Sequence, residues 1–343
     1  MEKHLFSRFA ESLRQQRDSL LGWLQDAPAE KKAIRLGAMP EASVRDHLRV
    51  LDTAIVKAES EELGRCTVCN EFVETHWLET DYSTCVCLEH LSGDERSMLE
   101  AELELSQKVQ QALLPQDLPR IDGWEIAAFS QPASIVGGDY FDFLRFRDGK
   151  HALLIADVMG KGMPASMLMA SLQASLRIIV PESGSPGEAL SRANRIFHHN
   201  IRLTKFVSIV IVRLDPATGV ITYANAGHNP PLLVGAQGTH PVRVLRPTGA
   251  AIGLVEHAHF HDETVEMAPG DTLLFYTDGL VEAVNPGREE FGERRLTQVL
   301  IASAAGSPVE ILKNVRSELK SFVGNLPIRD DTTILVLRRT GRH

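Results

Sequence analysis

Residues 153–162 read LLIADVMGKG and residues 273–280 read LLFYTDGL. Each is a short apolar run that ends in an aspartate, Asp157 or Asp278, with small residues close behind. An apolar run of this length bounded by turn signals fits a buried strand, so each carboxylate is expected at the rim of a core. Two further aspartates stand in similar settings, Asp139 in VGGDYFDF (136–143) and Asp330 in IRDDTTILV (328–336). Glycines 137, 138, 160, 162 and 279 allow backbone to come close to an ion or substrate. Oxygen ligands without His or Cys beside them suit Mg2+ or Mn2+ rather than Zn2+. An Asp-Gly at a strand end is by itself only a turn. Four such carboxylates gathered together are another matter, because they raise one another's pKa unless a cation neutralises them.

Outward from these runs, short apolar or alternating segments are separated by DG at 148–149, DPATG at 215–219 and PGD at 269–271. The pattern predicts strands at 124–129, 140–146, 151–157, 206–214, 219–225, 231–235, 259–267, 272–277 and 332–339. Helices are expected at about 164–180, 187–201, 292–304 and 308–323. Hairpin-like strands with a few inserted helices indicate an α+β sandwich rather than alternating βαβ units.

The first third has a different texture. Val44, Leu48, Leu51, Ile55 and Ala58 recur at helical spacing, and a less regular stripe runs through Phe6, Phe9, Leu13, Leu20 and Leu24. Between them, residues 26–43 carry Pro28, Gly37 and Pro40 and read as a loop. An acidic helix is expected from about Gly93 to Leu114, where Pro115 stops it; its Leu99, Leu103, Val109 and Leu113 suit pairing with another helix. The expected organisation is a helical region (1–63), a cysteine-bearing segment (64–92), a linker helix (93–118) and a sandwich domain (119–340).

Lysine plus arginine number 36 against 45 aspartate plus glutamate, a net −9. That balance disfavours non-specific binding to DNA or anionic membranes. No apolar run is read as approaching the ~18–20 residues that span a bilayer, and the charged N-terminus lacks a signal-peptide core. A cytoplasmic protein is expected. The four cysteines all lie between Cys66 and Cys87, a poor distribution for a disulfide framework.

The stretches PASIVGGDYFDF (132–143), IADVMGKGMPASMLMA (155–170), YANAGHNPPLLV (223–234), GDTLLFYTDGLVEAVN (270–285) with FGERRL (291–296), and DDTTILVLRR (330–339) resemble, in order and spacing, the SpoIIE/RsbU branch of the PPM, or protein phosphatase 2C-like, serine/threonine phosphatases. The resemblance covers about residues 105–340. It implies a β-sandwich flanked by helices with two Mg2+ or Mn2+ ions at one edge. It further implies that Asp157 bridges the ions, with the Val158 carbonyl as a further ligand. Asp278 and Asp330 would hold one ion, and Asp139 would act directly or through water. Asp331, beside Asp330, is the less favoured of that pair, and Asp142 is read as structural. Eukaryotic relatives carry a histidine, a general-acid candidate, where this chain has Met159; the bacterial branch usually has serine there. His228 in the tight GHNP loop is a substitute candidate, although such a residue is more often structural. No arginine is assignable as a phosphate clamp.

Residues 64–92 contain Cys66-x-x-Cys69 and Cys85-x-Cys87-x-x-His90. Thiolate pairs bracketing a short hairpin match a tetrahedral zinc site, with five candidates for four positions. The CLEHLS end resembles a TraR/DksA-like zinc finger, which favours Cys66, Cys69, Cys87 and His90 and leaves Cys85 spare. Between Glu61 and Leu114, twelve acidic and three basic side chains (3 − 12 = −9) oppose a phosphate-contacting role. A structural or protein-binding module is expected instead.

The functional expectation is a phosphoprotein phosphatase. The resemblance implies an anti-sigma-factor antagonist as substrate, in a bacterial partner-switching pathway. A homodimer through helices 41–63 and 94–114 is expected to control metal binding. The competing reading is a catalytically silent protein-binding module.

Overall fold

The structure is a computed structural model that describes residues 3–26, 41–73, 86–87, 90, 92–200, 206–236 and 242–341. The chain divides into two compact units, Met1–Glu102 and Leu103–His343.

In the first unit, α1 (Lys3–Asp26) packs against α2 (Glu41–Glu59). Arg14 pairs with Glu59 and Arg17 with Asp52, so the two helices run antiparallel. Both predicted stripes meet: Phe6, Ala10, Leu13 and Leu24 bury against Val44, Leu48, Leu51, Ile55 and Ala58. Leu63, Cys66 and Val73 extend this core into the cysteine segment. The predicted loop between the helices lies largely outside the described residues, as does Cys85. The helix α3 (Gly93–Leu113) follows.

The second unit is a sandwich. Its strands are β1 (Trp124–Gln131), β2 (Tyr140–Arg145), β3 (His151–Val158), β4 (Val207–Leu214), β5 (Val220–Ala226), β6 (Leu232–Val234), β7 (Arg243–Val244), β8 (Glu263–Glu266), β9 (Thr272–Tyr276) and β10 (Thr332–Arg339). Among the described residues they form two five-stranded antiparallel sheets, ordered β1-β10-β9-β6-β7 and β2-β3-β4-β5-β8. Helices α4 (Gly162–Glu182) and α5 (Pro186–Asn200) cover the second sheet. A short α6 (Asp278–Val281) leads to α7 (Gly292–Ser303) and α8 (Pro308–Val323), which cover the first.

Strand periodicity explains why these strands are apolar throughout. Successive side chains point to opposite faces, and here both faces are buried. Leu153, Ile155, Leu273, Phe275, Leu335 and Leu337 fill the space between the sheets. Leu154 and Ala156 turn outward to Met169, Leu172 and Leu176 of α4. Leu274, Tyr276, Ile334 and Val336 turn the other way to Leu296, Leu300, Ile311 and Val315 of α7 and α8.

Three expectations need correction. The helix α4 is long and apolar enough by composition to cross a membrane, contrary to the reading of the sequence. Its apolar character follows from packing: Ala165, Met169, Leu172, Leu176 and Ile179 are buried on the sheet. The strand expected at 259–267 is only Glu263–Glu266. The segment after Tyr276, read as a turn, begins the short helix α6.

Candidate active site

Register places the predicted aspartates at one edge of the sandwich. Tyr140 pairs with Ala156, so Asp139, one residue earlier, stands beside Asp157 near the end of β3. Tyr276 pairs with Ile334, so Thr277 and Asp278 leave β9 where Asp330 and Asp331 enter β10. Asp139 and Asp157 therefore come from one sheet, and Asp278 and Asp330 from the other.

A buried threonine ties the two halves together. Thr277 Oγ1 donates to Asp139 Oδ2 at 2.8 Å and accepts from the Thr333 amide at 2.9 Å. Asp331 serves the loop before β2, its carboxylate accepting from the amides of Ala133 (2.8 Å) and Gly138 (2.6 Å). With both oxygens engaged, it leaves Asp330 as the more accessible of the pair. That loop is held from the other side by Gln110 of α3, which donates to the Gly137 carbonyl at 2.5 Å and accepts from the Gly137 amide at 3.0 Å. Two glycines are required by close approach. A Cβ on Gly138 would meet the Val158 carbonyl oxygen at 2.7 Å, and one on Gly279 would meet the Asp331 carbonyl oxygen at 2.1 Å.

The electrostatics identify a site short of positive charge. Burial, then Asp278, Asp330, Asp331 and Glu282, push the Asp157 carboxyl up to about 7. Burial, then Asp330 and Glu282, raise Asp278 to about 6. Asp139 lies well above the ordinary carboxylate range, through burial and then Asp157. Such a set fits divalent cations, which relieve the mutual repulsion, and its all-oxygen donors suit Mg2+ or Mn2+. Among the described residues, no three of these carboxylates each bring an oxygen within 4.8 Å of the others.

Met159 stands at the general-acid position without a proton to give, and the substitute candidate His228 is not supplied in a usable form. Met159 is exposed, with its amide bonded to the Phe206 carbonyl. His228 is buried, its Nδ1 2.8 Å from Ser208 Oγ, and burial pushes it down to about 4. Asn225 accepts from the His228 amide at 2.8 Å and donates to its carbonyl at 3.1 Å, so the loop is internally braced. Asp142 is also internal, accepting from Tyr140 Oη at 2.6 Å and Arg177 Nε at 2.8 Å.

Sequence reasoning missed Thr277 and Glu282. Thr277 directly precedes Asp278, but nothing local marks it as a partner of Asp139, which belongs to the other sheet. Glu282 follows Asp278 by four residues; its placement was hidden because α6 was read as a turn.

In the first unit, Cys66, Cys69, Cys87 and His90 place one ligand atom each within 4.8 Å of all the others. Cys69 and Cys87 sulfurs are 3.8 Å apart, about the edge of a tetrahedron with Zn–S near ~2.3 Å. The amides of Val68 and Cys87 point at Cys66 Sγ, at 3.4 and 3.5 Å. Backbone amides, that of Cys69 first, draw the Cys66 thiol down to about 6, while burial pushes Cys87 up to about 11.

The profile of the family Stage II sporulation protein E (SpoIIE) matches residues 147–340. Protein IcfG of Synechocystis sp. is 29% identical over 297 residues, 78% of this chain and 45% of its own length. Phosphoserine phosphatase RsbU of Bacillus subtilis is 29% identical over 245 residues, 70% of this chain and 71% of its own. The chain thus spans about half of IcfG. Among solved structures, the SiaA-PP2C domain of Pseudomonas aeruginosa matches with TM-score 0.63 at 23% identity, covering 71% of this chain and 98% of that one, a likeness of fold. The RsbU and RsbW domains of Rv1364c from Mycobacterium tuberculosis match with TM-score 0.58 at 30% identity, covering 67% and 64%.

Proposed function

From the premise that this chain belongs to the SpoIIE family of PP2C-type phosphatases, we propose that it is a metal-dependent phosphatase acting on phosphoserine or phosphothreonine in a regulatory protein. The observation that carries this reading is the aspartate edge itself, where burial, and then neighbouring carboxylates, push Asp139, Asp157 and Asp278 up. Asp157, the Val158 carbonyl, Asp278 and Asp330 would hold two Mg2+ or Mn2+ ions, with Asp139 held in support by Thr277. The ions, when bound, supply an activated water and charge stabilisation for in-line displacement at phosphorus. The chain contributes orientation. Thr277 fixes Asp139, Asp331 fixes the loop before β2, and the strand ends hold the remaining carboxylates apart at a set spacing. The presence of all four aspartates favours an active enzyme over a silent binding module.

The substrate that the family resemblance supports is a phosphorylated anti-sigma-factor antagonist, in a cytoplasmic partner-switching pathway. The Cys66, Cys69, Cys87 and His90 cluster is assigned to structural zinc, supported by its tetrahedral edge length and amide-to-sulfur contacts. We assign the boundaries at 63, 92 and 118 to a helical region, zinc segment, linker and catalytic domain. A homodimer through α2 and α3 is supported by the exposed apolar side chains Val50, Val56, Met98, Leu105 and Val109. The acidic stretch 61–114 argues against nucleic acid as a partner. The deciding experiment is Mn2+-dependent release of phosphate from a phosphoprotein by the wild type and by Asp157→Asn. Equal turnover in both would refute the assignment.

A further inference from the structure

Lys161 has no part in the mechanism described above, yet it reaches into the aspartate edge. It is the residue immediately before α4, four positions after Asp157, with extended backbone. Its Nζ lies 2.7 Å from Asp330 Oδ2 and donates to the Arg329 carbonyl at 2.6 Å. Among the described residues, no other lysine or arginine forms an ion pair with Asp139, Asp157, Asp278, Asp330 or Asp331. The Lys161 side chain is half exposed, and an ion pair so exposed adds little to folding.

A carboxylate edge faces a difficulty with a phosphomonoester, which arrives as an anion. Positive charge is needed both among the aspartates and at the rim where the phosphoryl oxygens project. An ammonium on a flexible four-carbon stem is a point charge suited to that second task. Resting on the phosphatase reading, we propose that Lys161 is a phosphoryl-binding residue that exchanges partners. It pairs with Asp330 and turns to the phosphoryl oxygens once Asp330 is engaged by a divalent ion.

The exchange has two consequences of opposite sign. Removing the ammonium frees Asp330 and makes the local potential more negative, so divalent ions bind more tightly. The same change removes a contact to phosphate, so phosphate binds more weakly. A lysine that merely orients Asp330 as a ligand predicts the reverse for the metal.

The test uses the full chain as wild type, Lys161→Met and Lys161→Arg, with Mn2+ binding followed by calorimetry and inorganic phosphate as the competing product. Lys161→Met is expected to tighten Mn2+ binding about three- to tenfold, the size of one nearby charge acting on a divalent ion through largely aqueous surroundings. Phosphate binding to the Mn2+-loaded chain, followed by the same calorimetry, is expected to weaken about tenfold, and Lys161→Arg is expected to restore it to within about threefold. Unchanged Mn2+ and phosphate affinities, or weaker Mn2+ binding, overturn the proposal. A wild type that binds Mn2+ and phosphate but releases none from phosphoproteins refutes the phosphatase reading; its Mn2+ and phosphate affinities still decide the role of Lys161. A wild type that binds no Mn2+ overturns both.

Discussion

The Cys/His cluster takes its four ligands from the short span Cys66 to His90, whereas the aspartate edge draws on positions from Asp139 to Asp330. In the first, two short turns carry the ligands, one at Cys66–Asn70 and one at Cys87–His90. The Asn70 amide closes on the Cys66 carbonyl, the Cys66 amide on Glu71, and local amides point at sulfur. In the second, each carboxylate sits at the end of a different strand, and only two sheets in the right register bring them together. The local cluster is thus specified by spacing, and the dispersed one by the whole sandwich. The two should accordingly fail independently.

The largest effect that would break this contrast is expected from Asp157→Asn. Mn2+-dependent phosphate release should fall on the order of 10²–10³-fold or more, the scale of losing a central electrostatic group. Zinc content, measured by metal analysis on the same preparation, should not change. Loss of zinc in that variant would show that the clusters are not independent.

Cys66→Ser makes the complementary cut. It removes the buried thiolate at the centre of the cysteine turn. Bound zinc should be lost, and the melting temperature of the first unit should drop by at least about 5 °C, as expected for the loss of a kilocalorie-scale contribution in a small domain. Calorimetry should show the transition of the sandwich in place. A single transition that moves as a whole would argue for one cooperative structure.

Acid–base behaviour sharpens the comparison further. Burial, and then the neighbouring carboxylates, push the Asp157 carboxyl up to about 7 and Asp278 up to about 6, both above the ordinary value of 3.8. Raised pKa values mean that the folded state binds protons the unfolded chain has already released. Their favourable contribution is complete below the ordinary carboxylate value and is lost as pH rises through about 6 and 7. The melting-temperature gap between Mn2+-saturated and metal-free protein should therefore widen from about pH 5 to about pH 7.5. A flat gap would mean that these carboxylates do not share a site.

The smallest effect is expected from Gln110→Ala. This side chain clasps the Gly137 backbone, two residues before Asp139. Its loss should raise the Mn2+ concentration for half-maximal activity about threefold, within the usual range for residues that touch no ligand themselves. An unchanged metal requirement would confine the clasp to a purely local role.

Much of the sandwich was legible because its strands are apolar and bounded by clear turn residues. The runs before Asp157 and Asp278 are the best example, and their alternation between two buried faces accounts for the unbroken hydrophobicity. Short elements were not legible: β7 and α6 are too brief for any period to register. The composition of α4 could not distinguish a core helix from a spanning one, because both need a nearly uncharged surface. The contact of Thr277 with Asp139 was invisible for another reason. A hydroxyl between residues 139 and 277 leaves no trace in either local sequence.

The sequence by itself determined the strand runs, the four aspartates at their ends, and the spacing of Cys66, Cys69, Cys87 and His90, since each depends on residues close along the chain. Tertiary structure alone decided that Asp139 and Asp157 from one sheet face Asp278 and Asp330 from the other, that Asp331 braces a loop, and that His228 is sealed in the interior. The physical reason is that carboxyl ionisation, burial and ion pairing depend on distance through space. The fold sets those distances by strand register and sheet packing across residues far apart in the chain.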